Sequence, residues 1–123
     1  TEKSLAIHFE RENTMVNLSE LNPHQILCSA SKYTRKFFWN PDFQDCPKEL
    51  QQEMQILCVM FTEEVGGIVI VYFDANGSIT MVSSGEEDDP YFDRIGSGLK
   101  LEQVKGEKRQ LFERIEAYYQ LYC

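Results

Sequence analysis

Residues 46–84 hold the two densest apolar runs of the chain, Ile56-Leu57-Cys58-Val59-Met60-Phe61 and Ile68-Val69-Ile70-Val71-Tyr72-Phe73. Thr62-Glu63-Glu64-Val65-Gly66-Gly67 separates them, and Asp74-Ala75-Asn76-Gly77-Ser78 follows the second. A stretch this apolar has to leave water, so the remainder of the chain must cover it. Asp45-Cys46-Pro47 opens the first run as a helix, with Pro47 near its first position and Glu49 in the first turn, where a carboxylate suits the dipole. Leu50, Met54, Leu57 and Phe61 recur at i, i+4, i+7 and i+11, while Lys48, Gln51, Gln52, Glu53 and Gln55 line the other side. Over residues 56–61 the helix is apolar all round, which predicts C-terminal turns sandwiched between layers rather than laid on a surface. Gly66 is the expected C′ residue, because the left-handed conformation that ends a helix costs least in glycine.

The second run is apolar on both faces and reads as a central strand covered on both sides. Its return strand spans residues 79–83, and two turns can join them. A two-residue Asn76-Gly77 type I′ loop puts Phe73 opposite Thr80. A type I turn with Gly77 as a G1 bulge puts Phe73 opposite Ile79 and Val71 opposite Met81. Only the second lines one face with Val69, Val71, Phe73, Ile79 and Met81, so burial selects it.

The flanks carry weaker signals. Residues 1–22 read either as two short strands, around Leu5-Ala6-Ile7-His8-Phe9 and Met15-Val16-Asn17-Leu18, or as an arm ordered by docking. Asn22-Pro23 is a helix start. Ile26, Ala30, Tyr33 and Phe37 then fit a helical stripe, while residues 33–39 have strand-like composition. Residues 24–39 thus fit helix or strand, and are read as a short helix over 23–29 followed by a strand over 32–39, ended by Asn40-Pro41-Asp42. Beyond the hairpin, Asp89-Pro90 starts a helical stretch over 91–95 that Gly96-Ser97-Gly98 breaks. Residues 99–104 fit helix or strand, and a last helix covers 106–121. One α+β domain over 23–123 follows, a small antiparallel sheet (the hairpin plus one or more further strands) backed by helices.

With 123 residues the chain has room for one core. Its net charge of −8 repels a phosphate backbone unless basic residues are segregated on one face. The candidate patches, Lys32/Arg35/Lys36 and Lys100/Lys105/Lys108/Arg109, lie among carboxylates and read as solvated faces, so no nucleic acid is expected. Apolar runs of six residues fall far short of the roughly 18 that span a bilayer, and no signal-peptide pattern opens the chain. Thr1 is not a natural initiator, which fits a trimmed or processed start. Cys28, Cys46, Cys58 and Cys123 lack the close pairs of a zinc site, so reduced thiols, no metal or other cofactor, and a cytoplasmic location are expected.

Leu27-Cys28-Ser29-Ala30-Ser31, Trp39-Asn40-Pro41-Asp42-Phe43, the stretch from Phe61 through Gly66-Gly67-Ile68, and Asp93-Arg94-Ile95-Gly96-Ser97-Gly98-Leu99-Lys100 carry a family likeness. On them the chain, from Leu27 onward, resembles a family of short uncharacterised bacterial proteins, a domain of unknown function, from gut Firmicutes. No activity comes with that resemblance, and the first 20 or so residues lie outside its pattern.

Side chains that could carry chemistry are few. Asp74-Ala75-Asn76-Gly77 opens like a calcium loop but lacks glycine at position six and glutamate at twelve, so it reads as a turn. Glu86, Glu87, Asp88, Asp89 and Asp93 supply hard oxygens without ligand spacing. Glu63 and Glu64 sit near a helix C-terminus, where the dipole disfavours carboxylates unless a cation is close. Cys46 is the one thiol with a helix N-terminus to acidify it, yet no base accompanies it, and His8 and His24 read as structural. Tyr118, Tyr119 and Tyr122 on the last helix give more aromatic rim than one helix buries, and tyrosine favours interfaces. Two functions remain. The first is a non-catalytic, self-associating interaction or regulatory module, a homodimer through those tyrosines. The alternative is a ligand-binding domain or enzyme, leaning away from catalysis, whose site gathers Glu63, Glu64 and the acidic loop 86–89.

Overall fold

Burial, not the tightest available turn, sets the central hairpin. Strands Ile68–Phe73 and Ile79–Ser84 pair with Val71 opposite Met81 and Phe73 opposite Ile79. Gly77 sits at φ 80 with its N–H donated to the Asp74 carbonyl, and Asp74 Oδ1 accepts the N–H groups of Asn76 and Ser78. A one-residue slip would move Ile79 and Met81 to the opposite face. Both pack against the main core, and the observed register keeps them there.

The computed structural model describes residues 6–9, 14–17 and 25–123. In chain order the elements are β1 (Ala6–Phe9), β2 (Thr14–Asn17), β3 (Ile26–Ser31), β4 (Lys36–Trp39), a 3-10 turn (Pro41–Phe43), α1 (Lys48–Val65), β5 (Ile68–Phe73), β6 (Ile79–Ser84), α2 (Arg94–Glu107) and α3 (Arg109–Tyr122). The strands form one antiparallel sheet ordered β2-β1-β6-β5-β3-β4, and the fold is α+β. β5 is central, as its two apolar faces require. Val69, Val71 and Phe73 join the core that the helices complete with Leu50, Met54, Leu101, Val104, Ile115 and others. Ile70 and Val82 are buried on the opposite face with Ile26, Ile68 and Tyr72 packed against them.

The expected helix over 23–29 is a strand where it can be seen; Asn22, Pro23 and His24 lie outside the described residues. β3 pairs with β5 on one side and β4 on the other, so its backbone groups are used in the sheet interior. A bulge between Ile26 and Cys28 turns both Leu27 and Cys28 into the core, which disguises the two-residue period of a strand. The strand expected over 32–39 is in fact a turn followed by β4. Ser31 Oγ accepts the N–H groups of Tyr33 and Thr34, and Arg35 closes the turn at φ 58.

The helix layer also departs from expectation. Gly96-Ser97-Gly98 does not break a helix but lies inside α2. Asp93 caps it, accepting the N–H of Gly96 at 2.8 Å. Ser97 and Gly98 are buried, and their small size lets α2 lie close on β6, where Ser83 and Ser97 hydroxyls meet at 3.0 Å. α3 begins at Arg109 rather than near Gly106, with Lys108 alone between the two helices. α1 starts and stops as expected, with Gly66 at φ 82 and its N–H on the Thr62 carbonyl. Its C-terminal half is not sandwiched, however. Leu57, Cys58 and Phe61 are buried, while Ile56 and Met60 stand in solvent.

Candidate functional site

Glu63 and Glu64 are each held in an ion pair within the chain. Glu63 meets Lys32 Nζ at 2.8 Å, and that hydrogen-bonded cation holds its carboxyl below the usual range. Glu64 meets Lys100 Nζ at 3.0 Å, on α2. These cations offset the dipole mismatch at the end of α1. The acidic loop is fastened to the β3–β4 turn. Tyr33 donates its hydroxyl to Asp89 Oδ2 at 2.6 Å and accepts the Glu86 N–H at 2.9 Å. Lys32 and Tyr33 thus bring Glu63 and the loop to one turn, with an ammonium and a phenol placed between them. Glu86, Glu87 and Asp88 face solvent. Among the described residues no group of three or more His, Cys, Asp or Glu is placed to hold a metal ion.

The tyrosines of α3 divide. Tyr118 is buried and gives its hydroxyl to Asp45 Oδ1. Burial first, then that carboxylate, pushes its phenol up. Tyr119 is half-buried and stacks on Phe73, centroids 3.8 Å apart and planes 13° apart. Only Tyr122, 68 % exposed, is left with Leu121 as rim. Cys46 is buried, and desolvation followed by the Asp45 charge pushes its thiol to about 11. The helix N-terminus therefore makes no thiolate there. Cys28 is pushed well above the usual thiol range by burial and by its hydrogen bond with Cys58.

Apolar area is left exposed on α1, and also on α2, where Ile95 and Leu99 are 77 % and 68 % exposed. Ile56 is 62 % and Met60 61 % exposed, and Val59 stands beside them. At 100° per residue these three lie on the side opposite the buried stripe of Leu50, Met54, Leu57, Phe61 and Val65. The ridge is bordered by carboxylates already paired within the chain: Glu49 with Arg114 at 3.2 Å, Glu63 with Lys32 and Glu64 with Lys100. Sequence reasoning missed this surface although its signal was present. Positions 56, 59 and 60 fall off the 50-54-57-61 stripe at i, i+3 and i+4 spacing of their own.

Over residues 24–123 the chain matches DUF6145, a family of unknown function. The chain belongs to that family. No curated protein and no solved structure matches it. The stretches behind the likeness all lie within the matched residues. Trp39 Nε1 donates to the Phe43 carbonyl at 3.0 Å, and Asn40 Nδ2 to the Ile26 carbonyl at 2.6 Å. Gly66 and Gly67, at φ 82 and 74, turn α1 into β5, and Asp93 caps α2. No helix among the described residues is long and apolar enough to cross a membrane.

Proposed function

We propose that this DUF6145 chain is a non-catalytic interaction module that self-associates as a homodimer, working in the cytoplasm of a gut Firmicute. The observation that supports it is the exposed ridge Ile56, Val59 and Met60 on an 18-residue helix whose other face is fully used in the core. Contiguous apolar surface of this kind on a soluble domain marks a contact site. A two-fold dimer is the commonest way to cover it. The net charge of −8, with Lys32 and Lys100 committed to Glu63 and Glu64, supports a protein partner over nucleic acid. A ligand-binding or enzymatic site drawn from Glu63, Glu64 and residues 86–89 has less support, since two of those carboxylates are neutralised in place.

Light scattering over a range of concentrations tests the reading. The mass should rise from the 14.3 kDa of one chain toward twice that value. A mass that stays at one chain into the millimolar range refutes self-association.

A further inference from the structure

We infer that two copies pack α1 against α1 antiparallel about a two-fold axis at the level of Cys58, seating Ile56 of each opposite Met60 of the other and Glu53 of each beside Lys32 and Arg35 of the other. This rests on the self-association proposed above and specifies its face and polarity.

The argument begins with charge. A chain at −8 repels its own copy, so a self-interface needs a locally balanced surface. The α1 ridge has one, because Glu49, Glu63 and Glu64 are each held by a cation of the same chain. A polycationic partner would find those carboxylates already occupied, whereas a second copy needs none of them freed. Two exposed charges near the ridge make no ion pair among the described residues. Glu53 lies three residues before Ile56, and Arg35 closes the β3–β4 turn that also carries Lys32, the partner of Glu63 at 2.8 Å. Glu63 in turn lies three residues after Met60. An antiparallel pairing that sets Ile56 opposite Met60 therefore sets Glu53 opposite Glu63, and so beside Lys32 and Arg35.

The parallel alternative sets Glu53 against Glu53 and aligns the two helix dipoles, both unfavourable. In the antiparallel pair the dipoles oppose, and the row Gln52, Ile56, Met60, Glu64 forms an i±4 ridge on each helix. Two such ridges interdigitate at a crossing angle near −50°. The contact is isologous, as a closed two-fold requires.

The test uses the whole chain and four variants, each checked for native helicity by circular dichroism. Met60→Glu should weaken dimerisation at least tenfold, and Leu121→Glu, at the far end of α3, should leave it unchanged. Glu53→Lys should weaken it several-fold by setting like charges together, and Glu53→Lys with Arg35→Glu should restore it. A wild-type dimer indifferent to Met60→Glu but lost in Leu121→Glu keeps self-association and overturns the α1 face. A dimer lost in Met60→Glu but indifferent to Glu53→Lys overturns the antiparallel register. A wild-type chain that stays monomeric, whether or not it binds a synthetic Lys/Leu amphipathic peptide, overturns both readings.

Discussion

Tyr119 decides whether the aromatic end of α3 serves the core or a partner. Its ring lies over Phe73, with Phe43 6.1 Å away, and it covers Gly77 at the hairpin turn. Truncating a fully buried aromatic to alanine costs about 3–5 kcal/mol, and a half-buried ring loses roughly half of that. The lost stacking adds about 0.5–1.5 kcal/mol. Tyr119→Ala should therefore cost about 2–4 kcal/mol. At an m-value of about 1.5 kcal/mol/M, that lowers the urea midpoint by roughly 1–3 M with the slope unchanged. The measurement belongs in a Met60→Glu background, so that any loss of dimer does not contribute to apparent stability. A double-mutant cycle with Phe73→Leu should return a coupling near 1 kcal/mol, while Tyr122→Ala should stay within about 0.5 kcal/mol of its parent. An unchanged midpoint for Tyr119→Ala, together with a fall in dimer mass in the otherwise native chain, would refute the core assignment.

Four further outcomes follow from the same geometry. Gly67→Ala should cost roughly 2–4 kcal/mol in chemical denaturation, because φ 74 is left-handed and the added methyl meets the Ser84 carbonyl and the Phe92 ring. Gly106→Ala, in open space within α2, should instead stabilise by up to about 1 kcal/mol. Stability should fall as pH rises from the ordinary thiol and phenol range toward 12. Cys46 (about 11), Tyr33 (about 12) and Tyr118 hold their protons more tightly folded than unfolded, so their contribution is complete below the unfolded values and lost above them. Tyrosinate absorbance followed with circular dichroism checks this, and a fold intact at pH 12 with both phenols ionised would count against it. A disulfide-exchanging thiol reagent should modify Cys123 in the native chain, and Cys28, Cys46 and Cys58 only on unfolding, with mass spectrometry identifying the labelled residue.

The parts of the fold legible in the sequence are those where two independent local signals agree. Pro47 and the 50-54-57-61 spacing both indicate α1, and Gly66 stops it. Gly77 and the alternation of Val69, Val71 and Phe73 converge on one hairpin register. β3 was misread because its signals conflict. Asn22-Pro23 suggests a helix start, and the bulge at Leu27 removes the alternation that would have contradicted it. Its strand character comes from β5 and β4 on either side, which is tertiary information. The glycines at 96 and 98 misled for a related reason. Their propensity cost is local and visible, while the close approach to β6 that rewards small residues in this stretch is not.

The candidate surface was hidden inside the run that seemed most certain to be buried. An apolar stretch of six helical residues points in every direction, so sequence alone cannot say which of its members the neighbouring layer reaches. The number of elements on that side decides it. β3, β4 and β5 pack on α1, and so do α2 and α3, from which Lys100 and Arg114 reach Glu64 and Glu49. Nothing among the described residues covers the remaining side, and Ile56, Val59 and Met60 are left there. The tyrosines drew attention because aromatic residues are common at interfaces, yet Asp45 and Phe73 engage two of them inside the fold. Tyr118 lies in the core and Tyr119 packs against it. The excess on α1 is what the sheet, α2 and α3 leave over, and in the proposed pairing a second copy would bring to it a matching ridge, an opposed dipole and a cation for Glu53.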